Sequence, residues 1–95
     1  MFYRLTEEDK QAINTGKAVL LDVRRPDEYQ AGHLKNARNY NVDLIDAGQY
    51  PDIPKDVPIF TCCRRGVRSE RAEQALEAAG FSNVTNIGGI TEINI

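Results

Sequence analysis

Tryptophan is absent, and the 95 residues include one histidine, one methionine and two cysteines. Two cysteines cannot build a disulfide framework. Cys62 and Cys63 are also adjacent, which sets their Cα atoms about 3.8 Å apart, short of the usual disulfide span. A lone histidine, His33, without any C-x-x-C leaves no metal-ligand spacing, so no metal cofactor is expected. Long apolar runs are missing too. The longest, Ala18 to Leu21, is far too short to span a membrane, and no membrane partner is expected. The opening MFYRLTEEDKQ lacks a basic segment followed by an apolar one, so it is no signal peptide. Neither sign of charge dominates. The net charge of −2 gives no basis for binding nucleic acid through the whole surface. Repeats, low-complexity segments and linkers are absent as well, and residues 1–95 read as one domain whose single core has little redundancy. The expectation is a cytoplasmic protein with free thiols, or an exported one if a leader has been removed.

What is present is an alternation of strand and helix patterns. Thr6 before Glu7, Glu8 and Asp9 is an N-cap with an acidic first turn, opening a short helix that Gly16 closes. AVLLDV (18–23) is a continuous apolar run, as expected of a strand buried on both faces. Pro26 starts a short helix through Tyr29, which Gly32 ends. ARNYNV (37–42) reads as a short strand and DLIDAGQY (43–50) as a turn of helix before Pro51 and Pro54. VPIFTC (57–62) is the second apolar strand. Val67, Ala72, Ala75, Leu76 and Ala79 then recur at helical spacing, with Gly80 as the C-cap. NVTNI (83–87) is a last strand, with a tight turn at Gly88-Gly89. The alternation predicts a three-layer α/β fold, a mostly parallel sheet with helices on both faces.

Between the second apolar strand and its helix lies TCCRRGVRS (61–69). Counted from Cys62 it is C-x5-R-S, and from Cys63 it is C-x4-R-S. Arg64, Arg65, Arg68 and Arg71 concentrate basic charge here in an otherwise slightly acidic chain, which points to a small anionic ligand. Ligands of an open parallel sheet bind beyond the carboxyl ends of its strands. A helix N-terminus there supplies unpaired N–H groups and positive partial charge, and a cysteine in such a cradle has its thiolate stabilised. Gly66 lets the backbone turn without Cβ interference, and Ser69 is a candidate N-cap. Arg68, at the helix start, opposes the macrodipole unless an anion is bound. Arg71 also fits a plain surface pairing with a nearby glutamate, and Cys62 fits core packing. Pattern alone indicates an anion-binding nucleophilic cysteine and leaves its reaction open.

LLDVRRPDEYQAGHLKNARNYNV (20–42) and CRRGVRSERAEQALEAAGFSNVTNIGGI (63–90) resemble, in order, the two signatures of the single-domain rhodanese, or thiosulfate sulfurtransferase, family. The resemblance implies that Cys63 begins the loop and Arg68 ends it, with Arg64, Arg65, Gly66 and Val67 between them. It implies sulfur rather than phosphorus chemistry. A Cys63 persulfide is then the intermediate, loaded by thiosulfate or a similar small anionic donor and unloaded by cyanide, a thiol or a thioredoxin-type acceptor, with no cofactor. The alternative within the resemblance is a carrier module charged by a protein donor. Asp22 and Arg24 are expected to brace the loop, Glu28 and Tyr29 to pack, and His33 to make a structural hydrogen bond at a turn. Two features depart from the family pattern. Cys62 is an additional thiol that is a candidate sulfur acceptor or oxidant target, and the tryptophan common near the end of larger relatives is absent.

Overall fold

The computed structural model describes residues 3–90. Four strands, β1 (Val19–Asp22), β2 (Ala37–Asn39), β3 (Ile59–Cys63) and β4 (Val84–Gly89), form one all-parallel sheet in the order β2-β1-β3-β4. Helices α1 (Glu7–Asn14), α2 (Pro26–Gln30), α3 (Val42–Asp46) and α4 (Val67–Ala78) alternate with them. The central strands β1 and β3 are buried along their whole length, as their unbroken apolar runs require.

Strand alternation sorts the core into two layers. Leu21, Val23, Ile59 and Cys63 pack with Val42 and Ile45 of α3 and with Ala72 and Leu76 of α4. Leu20, Phe60 and Cys62 point the other way, toward Ile13 of α1, Tyr29 of α2 and Leu34. The expected three-layer α/β architecture is what forms. Thr6 caps α1 through a reciprocal box, its hydroxyl accepting from Asp9 N–H at 3.1 Å while the Asp9 carboxylate accepts from Thr6 N–H at 2.9 Å. At the far end of α4, Lys55 Nζ donates to the Ala79 carbonyl at 2.8 Å, placing a cation at the negative end of the helix.

Several boundaries differ from expectation, β1 and β3 starting later and α3 ending earlier among them, and four differences have a local reason. β2 stops at Asn39, because Asn41 accepts from Asp43 N–H at 2.8 Å and draws Val42 into α3. β3 runs one residue further, through Cys63, which pairs with Gly89. Gly88 and Gly89 are therefore strand rather than turn. The register shifts between Thr61, opposite Asn86, and Cys62, opposite Gly88, which leaves Ile87 as the extra residue of a bulge. Gly88 supplies the left-handed backbone there, at φ 91°. Finally, Gly66, at φ 96°, is the N-cap of α4, and Ser69 lies one turn inside the helix, fully buried.

Candidate active site

Strand β3 carries Cys63 to the carboxyl edge of the sheet, and residues 64–66 turn back over it into α4. The turn is held from below. Thr61 Oγ1 donates to the Ser69 carbonyl at 3.0 Å, and Ile90 N–H donates to the Cys63 carbonyl at 2.7 Å. Gly89 lies so close under the loop that a Cβ on it would stand 2.2 Å from the Arg64 carbonyl oxygen.

The sulfur of Cys63 is the focus of this turn. Gly66 N–H donates to Sγ at 2.9 Å and Ser69 N–H at 3.4 Å, with Ser69 Oγ also 3.4 Å away. Burial pushes the thiol up. The Ser69 hydroxyl and the N–H groups of Ser69, Arg65 and Gly66 act against that burial, and the balance holds Cys63 below its ordinary value. Cys63 sits at the floor of a cleft of about 200 Å³ lined by Arg64, Arg65, Val67 and Arg68. Its side is open enough to leave Val67 72% exposed.

Arg68 already has an anion. Its guanidinium donates to both oxygens of Glu28, at 2.6 and 3.1 Å, across 40 residues of chain. Glu28 accepts from Arg25 N–H as well, and these donors, Arg68 first, outweigh partial burial and lower its carboxyl to about 2. A cation in the first turn of α4 is thus tolerated because α2 brings a carboxylate to it. The clue in the sequence was that unbalanced arginine, whose partner no spacing could name.

Asp22 and Arg24 form a buried ion pair at the end of β1, and the Asp22 charge acts on Arg68 through space. Arg24 binds Asp22 through Nε and Nη2, at 2.8 to 3.1 Å, and donates to the Gly32 carbonyl at 2.7 Å. These bonds join the end of β1 to the turn after α2, whereas the residue bonded to the loop arginine is Glu28. Arg71 pairs with Asp46 at 2.8 Å and Asp43 at 3.5 Å on α3, not with a neighbouring glutamate. His33 lies at the turn, Nδ1 at 2.9 Å from the Tyr29 carbonyl, with its ring stacked on Tyr29 at 3.6 Å.

Cys62 is fully buried in the opposite layer from Cys63. Burial, then the Asp22 charge, pushes its thiol up, with the neighbouring Cys63 adding to the rise and Arg24 opposing it. A loop counted from Cys62 would have its sulfur on the wrong face of the sheet. Among the described residues no group of three or more potential metal ligands occurs, and no helix is long and apolar enough to cross a membrane.

A family model described as the Rhodanese-like domain matches residues 5–95. The thiosulfate sulfurtransferase GlpE of Pseudomonas fluorescens is 33% identical over 93 residues, covering 97% of this chain and 84% of its own. An adenylyltransferase and sulfurtransferase of Ogataea parapolymorpha, uba4, is 31% identical over 98 residues, which is 97% of this chain but 25% of that protein. The solved structure of a human single-domain sulfurtransferase, TSTD1, superposes with a TM-score of 0.75 at 23% identity, covering 90% of this chain and 88% of its own.

Proposed function

Since the chain belongs to the rhodanese family, we propose that it transfers the outer sulfur of thiosulfate to a thiol or to cyanide through a persulfide on Cys63. The observation that carries this reading is the sulfur of Cys63 at the base of an arginine-lined cleft, receiving N–H groups from its own loop. The Cys63 thiolate attacks the outer sulfur, forming a new S–S bond, and sulfite departs with the electrons of the old one. An acceptor thiolate or cyanide then attacks the outer sulfur of the persulfide, and Cys63 leaves as thiolate. Charge is conserved at each step, so neither a general base nor a cofactor is required once the thiol is ionised.

The loop N–H groups are oriented before the reaction starts, and that fixed orientation is what makes them effective toward anionic sulfur. Arg64 and Arg65 attract the donor dianion, while Arg68, engaged with Glu28, keeps the loop in shape. Likeness to GlpE supports thiosulfate as donor. A thiol or thioredoxin-type protein is the proposed acceptor, in the cytoplasm. A second reading, a sulfur carrier charged by a protein donor, draws on two observations: Val67 is exposed beside the cleft, and the Arg68 charge is partly cancelled.

The test is intact mass and peptide mapping after reduced protein is incubated with thiosulfate. One added sulfur on Cys63, removed by cyanide, is expected. No sulfur from thiosulfate, but loading from a persulfidated protein, would select the carrier. Sulfur on Cys62 alone would overturn both.

A further inference from the structure

The Ser69 hydroxyl has one proton and three acceptors within reach: Cys63 Sγ at 3.4 Å, the Gly66 carbonyl at 3.1 Å and Asn86 Oδ1 at 2.7 Å. The orientation of the Asn86 amide is set by its surroundings. Oδ1 also accepts from Gly88 N–H at 2.9 Å, and Nδ2 donates to the Gly66 carbonyl at 3.3 Å. Reversing the amide would set donor against donor at Gly88 and acceptor against acceptor at Gly66. The backbone of Asn86 is held too, its N–H donating to Glu73 Oε2 at 2.9 Å. A fixed acceptor from β4 therefore competes with the Cys63 sulfur for one buried proton.

We propose that Asn86 is a positioning residue for Cys63, holding the Ser69 proton while the sulfur is neutral and yielding it when the sulfur is charged. This rests on Cys63 being the nucleophile. With a neutral thiol the chain of donors runs Cys63 S–H to Ser69 Oγ, and Ser69 O–H to Asn86 Oδ1. On ionisation the Cys63 proton leaves to solvent, and Ser69 keeps its own proton but turns it onto Sγ. Asn86 Oδ1 keeps the Gly88 N–H, so it is not left without a partner. When sulfur is loaded, the negative charge moves to the outer atom, Sγ becomes neutral, and the Ser69 proton returns to Asn86. The hydroxyl thus changes partner with each half of the reaction.

Charges on the surrounding elements do not replace this contact. Arg68 of α4 acts on Cys63 through space while bonded to Glu28 of α2. Cys62 of β3 and Cys63 repel each other's charge, while Asp22 and Arg24 at the end of β1 act on Cys62 and Asp22 also acts on Arg68. Glu73 of α4 meets the backbone of Asn86 rather than its amide.

The experiment follows the rate of Cys63 alkylation by iodoacetamide against pH, without any sulfur donor, in wild type, Ser69→Ala, Asn86→Ala and the double variant. Ser69→Ala removes a donor to the thiolate, so its midpoint moves up. Asn86→Ala removes the nearer competitor and leaves the Gly66 carbonyl at 3.1 Å, so its midpoint moves down, and alkylation below the midpoint is about three- to fivefold faster, the worth of one net hydrogen bond. The double variant matches Ser69→Ala alone. If Asn86→Ala moves the midpoint up, or if the two changes simply add, Asn86 only supports the loop and the proposal falls. Should Asn86→Ala fail to fold by circular dichroism, Asn86→Val, which suits a strand and offers no acceptor, takes its place with the same expected direction. The sulfur chemistry is tested separately: failed loading from thiosulfate with the alkylation order intact overturns the transfer reading alone.

Discussion

The two adjacent cysteines show how far one residue step changes a thiol. Both are buried, and both would be acidified if nearby cationic side chains decided the matter. They differ in which N–H groups they meet. Cys63 faces the loop amides and is lowered, while Cys62 faces an apolar layer and is raised. In the native protein at neutral pH, iodoacetamide is therefore expected to label Cys63 and spare Cys62, with both labelled in denaturant, as peptide mapping would show. The sign for stability follows from the lowered value. Folding favours the Cys63 thiolate, so this contribution is present above the unfolded thiol's value and is lost as pH falls through the lower folded one.

Among the elements, β4 and α2 set the loop although neither contributes to it. Gly89 is where β4 must lie flush beneath residues 64 and 65. Gly89→Ala would put its Cβ 2.2 Å from the Arg64 carbonyl oxygen and 2.7 Å from Arg65 Cα, so the loop has to move. The expected outcome is a loss of sulfur loading of tenfold or more, on the order of 1.4 kcal/mol, with about 1–3 kcal/mol of overpacking in urea denaturation. Loading at the wild-type rate would show that the loop tolerates displacement. α2 acts through Glu28. The Glu28–Arg68 contribution is complete above pH 4.5, the carboxyl's ordinary value, and fades as pH falls toward about 2. Glu28→Gln is expected to cost about 1–2 kcal/mol at pH 6, given a half-buried bidentate pair. The gap from wild type should close in acid. Urea midpoints at a series of pH values would check this, and a pH-independent gap would mean that packing, not charge, is what Glu28 supplies.

Across the whole molecule, the sheet is a partition. Cys62 and Cys63 are neighbours in the chain but belong to different core layers, so neither sulfur can reach the other while β3 stays paired to β1 and β4. Mild oxidation of the folded protein is expected to leave Cys62 reduced and to form no Cys62–Cys63 disulfide, read as the absence of a two-hydrogen mass loss on that peptide. Such a disulfide in folded protein would contradict the partition. A role for Cys62 as acceptor of the Cys63 sulfur fails for the same reason.

The apolar runs of β1 and β3, the Thr6 cap, the helical period after Val67 and the basic loop between strand and helix were all determined by the sequence itself. Each is a local preference, fixed by residues within a few positions of one another, and together they imposed the layered α/β fold and put Cys63 and its loop at the sheet's edge. Which groups surround that loop was decided only in three dimensions. Glu28 lies 40 residues from Arg68, and Asn86 lies 17 from Ser69. No periodicity links such positions. Asp22 and Arg24, close in sequence, satisfied each other at the end of β1 and left the loop arginine to α2. The bulge opposite Cys62 shifted Gly88 and Gly89 from turn to strand, because pairing along β3 outweighed the local preference of two glycines for a turn. Local sequence specifies elements, but the partners of a buried charge or a single hydroxyl proton are chosen by whatever the packing of those elements brings within hydrogen-bond reach.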